Sequence, residues 1–164
     1  MRAHSFPPVI DARSRTLILG SMPGKASLRA QEYYAHPRNL FWHFAELLWG
    51  VNRSEPYETR KERLLDRRVA LWDVLESCSR ETSLDSDIEP DTIVPNDFSQ
   101  LFARHRSIRT VCFNGAKSAE VFERQVVPNL ARAERIEFHR LPSTSPANAS
   151  IPFEKKLAAW RITL

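Results

Sequence analysis

Thr16-Leu-Ile-Leu-Gly-Ser-Met-Pro-Gly24 opens with a short apolar run, Thr16 to Leu19, and breaks at Gly20. A run this short, closed by glycine, reads as a buried strand rather than a helix. Three later runs have the same form: Val69 to Trp72, Thr110 to Phe113 and Ile136 to Phe138. Helical patterns at 40–49, 57–67, 97–105, 116–125 and 152–162 separate these runs and follow the last of them. The first helix lines up Leu40, Phe41, Phe44, Leu47 and Leu48 on one stripe, and Gly50 is its expected C-cap. Strands that alternate with helices imply βαβ units. The expected fold is therefore α/β, with a central four-stranded, mostly parallel sheet and helices on both faces.

In such folds ligands bind beyond the carboxyl ends of the strands. After the first run come Gly20 to Ser27, after the third Asn114-Gly115, and after the fourth His139 to Ala149. The chain has only four glycines, where an average chain of this length would hold about eleven. Three of them, Gly20, Gly24 and Gly115, fall on this edge. Glycine there lets a backbone turn sharply or approach a ligand closely; punctuation of a turn is the plainer alternative.

The 164 residues, 42% of them apolar, fit one domain spanning 1–164 with its own core. Cys78 and Cys112 are too few for a disulfide framework, a zinc ribbon or an iron–sulfur cluster. The amino-terminal stretch lacks a leader-type apolar run, and no segment approaches the ~20 apolar residues that cross a bilayer. A cytoplasmic protein with no membrane partner is the expectation.

The formal charge of +4 is unevenly spread. Residues 81–97 hold six acids and no Lys or Arg, which leaves 24 basic residues against 14 acids elsewhere. Such a surface suits a polyanion, although basic residues also simply solvate helix faces. The acidic stretch is expected to form a loop directed away from any such partner.

The first loop superficially resembles a phosphate-binding loop. That motif needs four residues between its glycines and a hydroxyl after Gly-Lys, whereas here Ser21-Met22-Pro23 gives three and Ala26 follows Lys25. No helix is expected to start promptly after it either. The segment Tyr33-Tyr-Ala-His-Pro-Arg-Asn-Leu-Phe-Trp42 is richer in meaning. Pro37 biases His36 to extended backbone, and the helical stripe starts at Leu40, so Asn39 sits where an N-cap belongs. An ordinary cap, worth ~1 kcal/mol, is one reading of Asn39. Of Tyr33 and Tyr34, one is expected to pack inward and the other to form a wall for a planar ligand.

Together, Gly20-Ser-Met-Pro-Gly24, Tyr33 to Trp42 and Leu141-Pro-Ser-Thr-Ser-Pro-Ala-Asn-Ala149 resemble the hypoxanthine-DNA (DNA-deoxyinosine) glycosylases of the uracil-DNA glycosylase superfamily. The likeness runs from about Phe6 to the last helix, which carries Trp160. It implies a three-layer α/β/α sandwich and monofunctional base excision. A deaminated base, hypoxanthine with uracil or xanthine as further substrates, would be flipped from DNA and its glycosidic bond hydrolysed to leave an abasic site.

The resemblance also assigns roles. Most of the superfamily carries Asn or Asp two residues after the first motif's leading glycine; Met22 stands there and cannot orient water. Asn39 matches the asparagine thought to take over, holding the water in line with C1′ through its carbonyl oxygen, a task of orientation and not of deprotonation. Asn114 matches the second catalytic position and would face the base edge. Gly20, Ser21, Met22, Pro23, Tyr33, Tyr34 and His36 would line the base site. Tyr34, or failing that Tyr33, would stack on the base. His36 is alternatively an acid near the purine or a loop histidine satisfied by backbone.

Lys25, Ser27 and Arg38 would touch DNA, as would Ser143, Thr144, Ser145, Pro146, Ala147 and Asn148. This second loop would enter the gap left by the flipped nucleotide and hold phosphates. Leu141 stands where a histidine often stabilises an anionic uracil, which weakens a dedicated uracil assignment. Lys25 as a Schiff-base nucleophile runs against the resemblance. No metal or cofactor is implied, and the partner is double-stranded DNA with a deaminated base, single-stranded DNA also being a candidate, met by a monomer. The competing reading is a noncatalytic nucleic-acid-binding module that kept the fold.

Overall fold

The computed structural model describes residues 1–131 and 133–164. Seven strands and six α-helices follow in chain order: β1 (Arg2–His4), β2 (Thr16–Gly20), α1 (Lys25–Ala30), α2 (Phe41–Trp49), α3 (Tyr57–Asp66), β3 (Val69–Asp73), β4 (Leu75–Ser79), β5 (Val94–Pro95), α4 (Phe98–Arg104), β6 (Thr110–Asn114), α5 (Ala116–Val121), β7 (Glu137–Leu141) and α6 (Phe153–Trp160). The central sheet has the order β3-β2-β6-β7, all parallel. Chain connections leave β2 and β6 toward opposite sides, so a crevice opens between their carboxyl ends, at Gly20 and Asn114.

Alternation along the strands explains the layers. Leu17, Leu19, Val111 and Phe113 enter one core with Phe98 and Leu101 of α4 and Ala119 and Val121 of α5. Ile18, Leu71 and Cys112 enter the other with Phe41, Phe44 and Leu48 of α2, Leu64 of α3 and Leu157 and Trp160 of α6. Side chains of successive strand residues point to opposite faces, so each strand feeds both cores. Among the described residues no helix is long and apolar enough to cross a membrane.

The four expected strands and five expected helices are all present, and the differences are local. Each of the first three strands runs one residue further, to Gly20, Asp73 and Asn114. The fourth starts later and ends at Leu141. Its expected burial fails, since Phe138 is 36% exposed, because β7 is an edge strand paired on one side only. A second sheet, β1-β4-β5, is antiparallel and had no sequence signal. Its strands are two to five residues long, and β4 is half polar, so no apolar run marks it.

Val74 alone separates β3 from β4. The amides of Val74 and Leu75 donate to the carbonyls of Gly20 and Ser21, at 2.8 and 3.1 Å. This ties the end of β3 to the first glycine loop and sets Asp73 beside Gly20 in register. A helix does start promptly after that loop: α1 begins at Lys25 and ends six residues on, where Gln31 turns left-handed at φ 56°. Lys-Ala-Ser-Leu-Arg-Ala consists mostly of good helix formers, enough for one short helix.

Candidate active site

The crevice holds a cavity of about 400 Å³, within the range of small-molecule sites and with room for a single flipped base. Its walls come from the Gly20–Ser27 loop, Tyr33 and Tyr34, Asn39, Asn114 and the 143–148 loop. Nearly every sequence-predicted site residue is thus gathered on one side of the sheet; Arg38, exposed just outside the wall, is the exception.

Asn39 combines its two readings. The N-cap of α2 is Leu40 and not Asn39, but Asn39 Oδ1 accepts from the Phe41 amide at 2.9 Å and so satisfies the first N–H of the helix from one residue further out. The same atom keeps a second lone pair, and Asn39 lines the cavity. That bond fixes the amide's orientation, which is what a water-positioning carbonyl requires.

Both tyrosines line the cavity, but they are held differently. Tyr33 is 3% exposed, and its hydroxyl donates to the Pro7 carbonyl at 2.9 Å while Trp42 donates to its carbonyl. Tyr34 takes the left-handed region at φ 57°, costly for a residue with a Cβ, and stacks on Phe41 with centroids 4.2 Å apart. Its buried hydroxyl has no hydrogen-bond partner among the described residues. Burial pushes both phenols above their ordinary range. His36 is half-buried on the cavity wall, and its Nδ1 accepts from the Arg38 amide at 3.1 Å.

Asn114 has a partner that the sequence did not suggest. Its Nδ2 donates to Thr144 Oγ1 and its Oδ1 accepts from the Thr144 amide, both at 2.9 Å. The Thr144 carbonyl accepts from Leu40 at 3.0 Å, so one residue joins β6 to the start of α2. Pro142 and Asn148 are held from α6: Trp160 Nε1 donates to the Pro142 carbonyl at 2.9 Å, and Lys156 Nζ donates to the Asn148 carbonyl. Within the loop Ser143 Oγ accepts from Ser145 and Ser145 Oγ from Ala147. Gly115 must be glycine here, because its φ is +103° and a Cβ would stand 3.1 Å from that of Ser143.

Two residues expected on DNA are buried instead. Ser27 is 5% exposed and its hydroxyl accepts from Ala35, and Thr144 is 1% exposed in the network just described. Both hydroxyls serve the loops from within. Met22 is also buried, packed in the core with Leu19. Lys25 and Ala147 are exposed, like Arg38, while Pro146 and Asn148 are half-buried.

The acidic stretch does not point away. Ser83, Leu84, Asp85 and Ser86 line the same cavity. Ser21 Oγ donates to Asp85 Oδ1 at 2.6 Å, Ser83 Oγ accepts from the Lys25 amide at 2.9 Å, and buried Arg80 donates to the Pro23 carbonyl. A segment that satisfies the first loop's polar groups has to lie against it, whatever its charge.

Asp73 is the residue that sequence reading missed. It ends β3, is 3% exposed and lines the cavity. Asn96 Nδ2 donates to its backbone carbonyl at 2.8 Å, while its Oδ2 is buried with no partner among the described residues. Burial, with the like charge of Asp85 and against the pull of Arg80, pushes its carboxyl up to about 7. The only sequence signal was its place at the end of a parallel strand, on the functional edge.

The family model described as the uracil DNA glycosylase superfamily matches residues 7–163. A protein of Methanosarcina acetivorans named hypoxanthine DNA glycosylase is 40% identical over 149 residues, covering 90% of this chain and 89% of its own length. One of the same name from Methanosarcina barkeri is 38% identical over the same shares. A solution NMR structure from Methanosarcina acetivorans, titled as a candidate uracil DNA glycosylase, superposes with a TM-score of 0.82 at 37% identity, covering 99% of this chain and 96% of that one.

Proposed function

The chain belongs to the uracil DNA glycosylase superfamily and is a DNA glycosylase, a hydrolase of N-glycosyl bonds in DNA, and we propose that the base it removes is hypoxanthine, with uracil and xanthine as further substrates. The observation that carries the reading is Asn39: it lines the cavity at the carboxyl edge of the sheet with its carbonyl oxygen fixed by the Phe41 amide. The names of the two archaeal relatives support the choice of base.

The flipped nucleotide enters the crevice between β2 and β6, and its base lies against Tyr34. Asn39 orients one water toward C1′. The glycosidic bond breaks first, its electron pair leaving with the base, and the oxocarbenium-like sugar then captures the water, whose released proton neutralises the departing base. A nucleophile that adds to a cation needs orientation and little activation, so an amide is sufficient. The 143–148 loop, held by Trp160, Lys156 and Asn114, occupies the place of the flipped nucleotide and binds phosphates through hydroxyls and backbone N–H groups. The enzyme acts as a single-domain cytoplasmic monomer, without metal or cofactor, on double-stranded DNA and on single strands. The match of residues 7–163 to one family model supports the single domain.

The test is excision from labelled duplexes carrying hypoxanthine, uracil or xanthine, with alkaline cleavage of the abasic product. Strand breaks at hypoxanthine are expected, lost in Asn39→Ala. Salt-dependent binding without breaks at any lesion would leave a noncatalytic DNA-binding module.

A further inference from the structure

Most polar groups on the cavity floor are already committed. The amide of Asn114 is bound at both ends by Thr144, the hydroxyl of Ser21 by Asp85, and that of Tyr33 by the Pro7 carbonyl. Oδ2 of Asp73 remains without a partner among the described residues, and the Tyr34 hydroxyl has only the Asn114 amide near it, too loosely placed to count as a hydrogen bond. Buried polar groups are almost always hydrogen-bonded, so each exception calls for an explanation, and for a side chain that lines a ligand cavity a contact to the ligand is one.

Room has been made for this carboxyl. A Cβ on Gly20, the residue paired with Asp73 in register, would stand 2.6 Å from Asp73 Oδ1 and 3.3 Å from the Tyr34 hydroxyl. Only glycine admits both side chains at the end of β2. The Asp73 backbone is anchored by Asn96, so the carboxyl is set by the sheet and not by a mobile loop.

Deamination leaves one chemical signature on every product base. An exocyclic amino donor beside a ring-nitrogen acceptor becomes a carbonyl acceptor beside a ring N–H donor. Hypoxanthine, xanthine and uracil all present that N–H/C=O edge, as do guanine and thymine, so the edge sets a deaminated base apart from its adenine or cytosine parent and not from every normal base. An ionised carboxylate can only accept and would set its charge against the base carbonyl oxygen. A neutral carboxylic acid offers a donor beside an acceptor and matches the edge at two points.

Resting on the glycosylase reading above, we propose that Asp73 reads the flipped base as a neutral acid. Its carboxyl O–H donates to the base carbonyl oxygen, and its other oxygen accepts from the adjacent ring N–H. No proton leaves the carboxyl in this role, so Asp73 positions the base and does not act as an acid on the leaving group.

The surroundings favour the neutral form. The phenols of Tyr33 and Tyr34 face it from the segment before α2, the amide of Asn114 from β6, and the Gly20 backbone from β2. Asp85 on the 81–87 segment opposes a negative charge at Asp73, and Arg80, after β4, is the one cation acting on it. Burial outweighs that cation, so the proton is retained to near neutrality.

The experiment compares wild type with Asp73→Asn, which keeps a donor beside an acceptor at every pH, and Asp73→Leu, which keeps neither. Single-turnover excision of hypoxanthine is measured from about pH 5.5 to 9. Wild type is expected to lose rate on the alkaline side as Asp73 ionises. Asp73→Asn is expected to lack that limb, so that its rate relative to wild type rises with pH. Asp73→Leu is expected to be slower by about tenfold or more throughout, with a melting temperature no lower than that of wild type.

A second measurement does not need turnover: binding to duplexes bearing 2′-fluoro-deoxyinosine or the 2′-fluoro-deoxynucleoside of unsubstituted purine, which lacks both the carbonyl and the ring N–H; both resist cleavage. Wild type and Asp73→Asn should prefer the inosine duplex, and Asp73→Leu should lose the preference. If Asp73→Asn falls with Asp73→Leu at every pH, or keeps the alkaline limb, the assignment is overturned while the glycosylase reading stands. Equal affinity of wild type for the two duplexes overturns it even if the protein is inactive. Inactivity of wild type on every lesion, with the binding preference intact, overturns the glycosylase reading alone.

Discussion

Asn114 and Thr144 hold each other through two hydrogen bonds of 2.9 Å, amide to hydroxyl and backbone N–H to amide. Both residues are buried, so the pair is shielded from competing water. The Thr144 carbonyl adds a third bond, from Leu40, and the ends of β6, the 143–148 loop and α2 become one unit. The loop proposed to enter DNA is therefore preformed before DNA arrives.

Replacing Thr144 with valine keeps the shape and removes Oγ1. The Nδ2 group of Asn114 then loses its partner, at a cost of about 1–3 kcal/mol. Thermal melting should show that loss. Duplex binding should weaken as well, since the loop must be ordered at the moment of contact; unchanged melting and binding would show that the latch is not energetically important.

Asn39 is expected to separate into a cap and a catalytic function. Asn39→Ser keeps a capping oxygen and should melt within about 0.5 kcal/mol of wild type, whereas Asn39→Ala should lose ~1 kcal/mol. Both should slow single-turnover excision by about two orders of magnitude, because the shorter side chains no longer place the water. A fully active Asn39→Ser would assign the residue to capping only.

The Asp73 carboxyl predicts how stability follows pH. Its pKa is raised from 3.8 to about 7 in the folded protein. Below pH 4 both states carry the proton. Between about 4 and 7 the folded state retains it while the unfolded state releases it, so the native protein binds more protons and its stability falls as pH rises. Above 7 the contribution is constant. Asp73→Asn abolishes it, and the variant should gain on wild type through this window, by up to roughly 4 kcal/mol on the alkaline side. Chemical denaturation at pH 4.5 and pH 8 measures the difference; an equal effect at the two values would contradict the raised pKa.

Gly20→Ala places a methyl 2.6 Å from Asp73 Oδ1. β2 lies inside the sheet between β3 and β6, and the Asp73 backbone is held by Asn96, so overpacking of about 1–3 kcal/mol is expected in melting. Excision of hypoxanthine should fall further than stability does, since the displaced group is the one that faces the base.

Tyr34 should contribute through its ring. Base–aromatic stacking is worth about 1–3 kcal/mol by alanine substitution, so Tyr34→Ala should weaken lesion-duplex binding by roughly ten- to a hundredfold, and Tyr34→Phe by far less. If Tyr34→Phe is as weak as Tyr34→Ala, the hydroxyl and not the ring is the contact.

The sequence by itself determined the layers. Short apolar runs, Thr16 to Leu19, Val69 to Trp72, Thr110 to Phe113 and Ile136 to Phe138, each set off by amphipathic stripes, can bury their side chains only as a parallel sheet clothed on both faces. That pattern is local and periodic, so it is legible without coordinates. It also located the functional edge, and the ordered motifs from Gly20 to Ala149 pointed to the family. Tertiary structure decided the rest, because pairing across the sheet and burial have no local signature. Which tyrosine turns inward depends on the Pro7 carbonyl, 26 residues away. Whether Asn114 faces a base or a threonine depends on a residue 30 positions later. The acidic 81–87 segment reads as solvated surface until Ser21 and Lys25 are seen to need it. Asp73 reads as the polar end of a strand, and only the approach of Gly20 and the loss of solvent around it make that carboxyl a group of raised pKa with an unpartnered oxygen at the site.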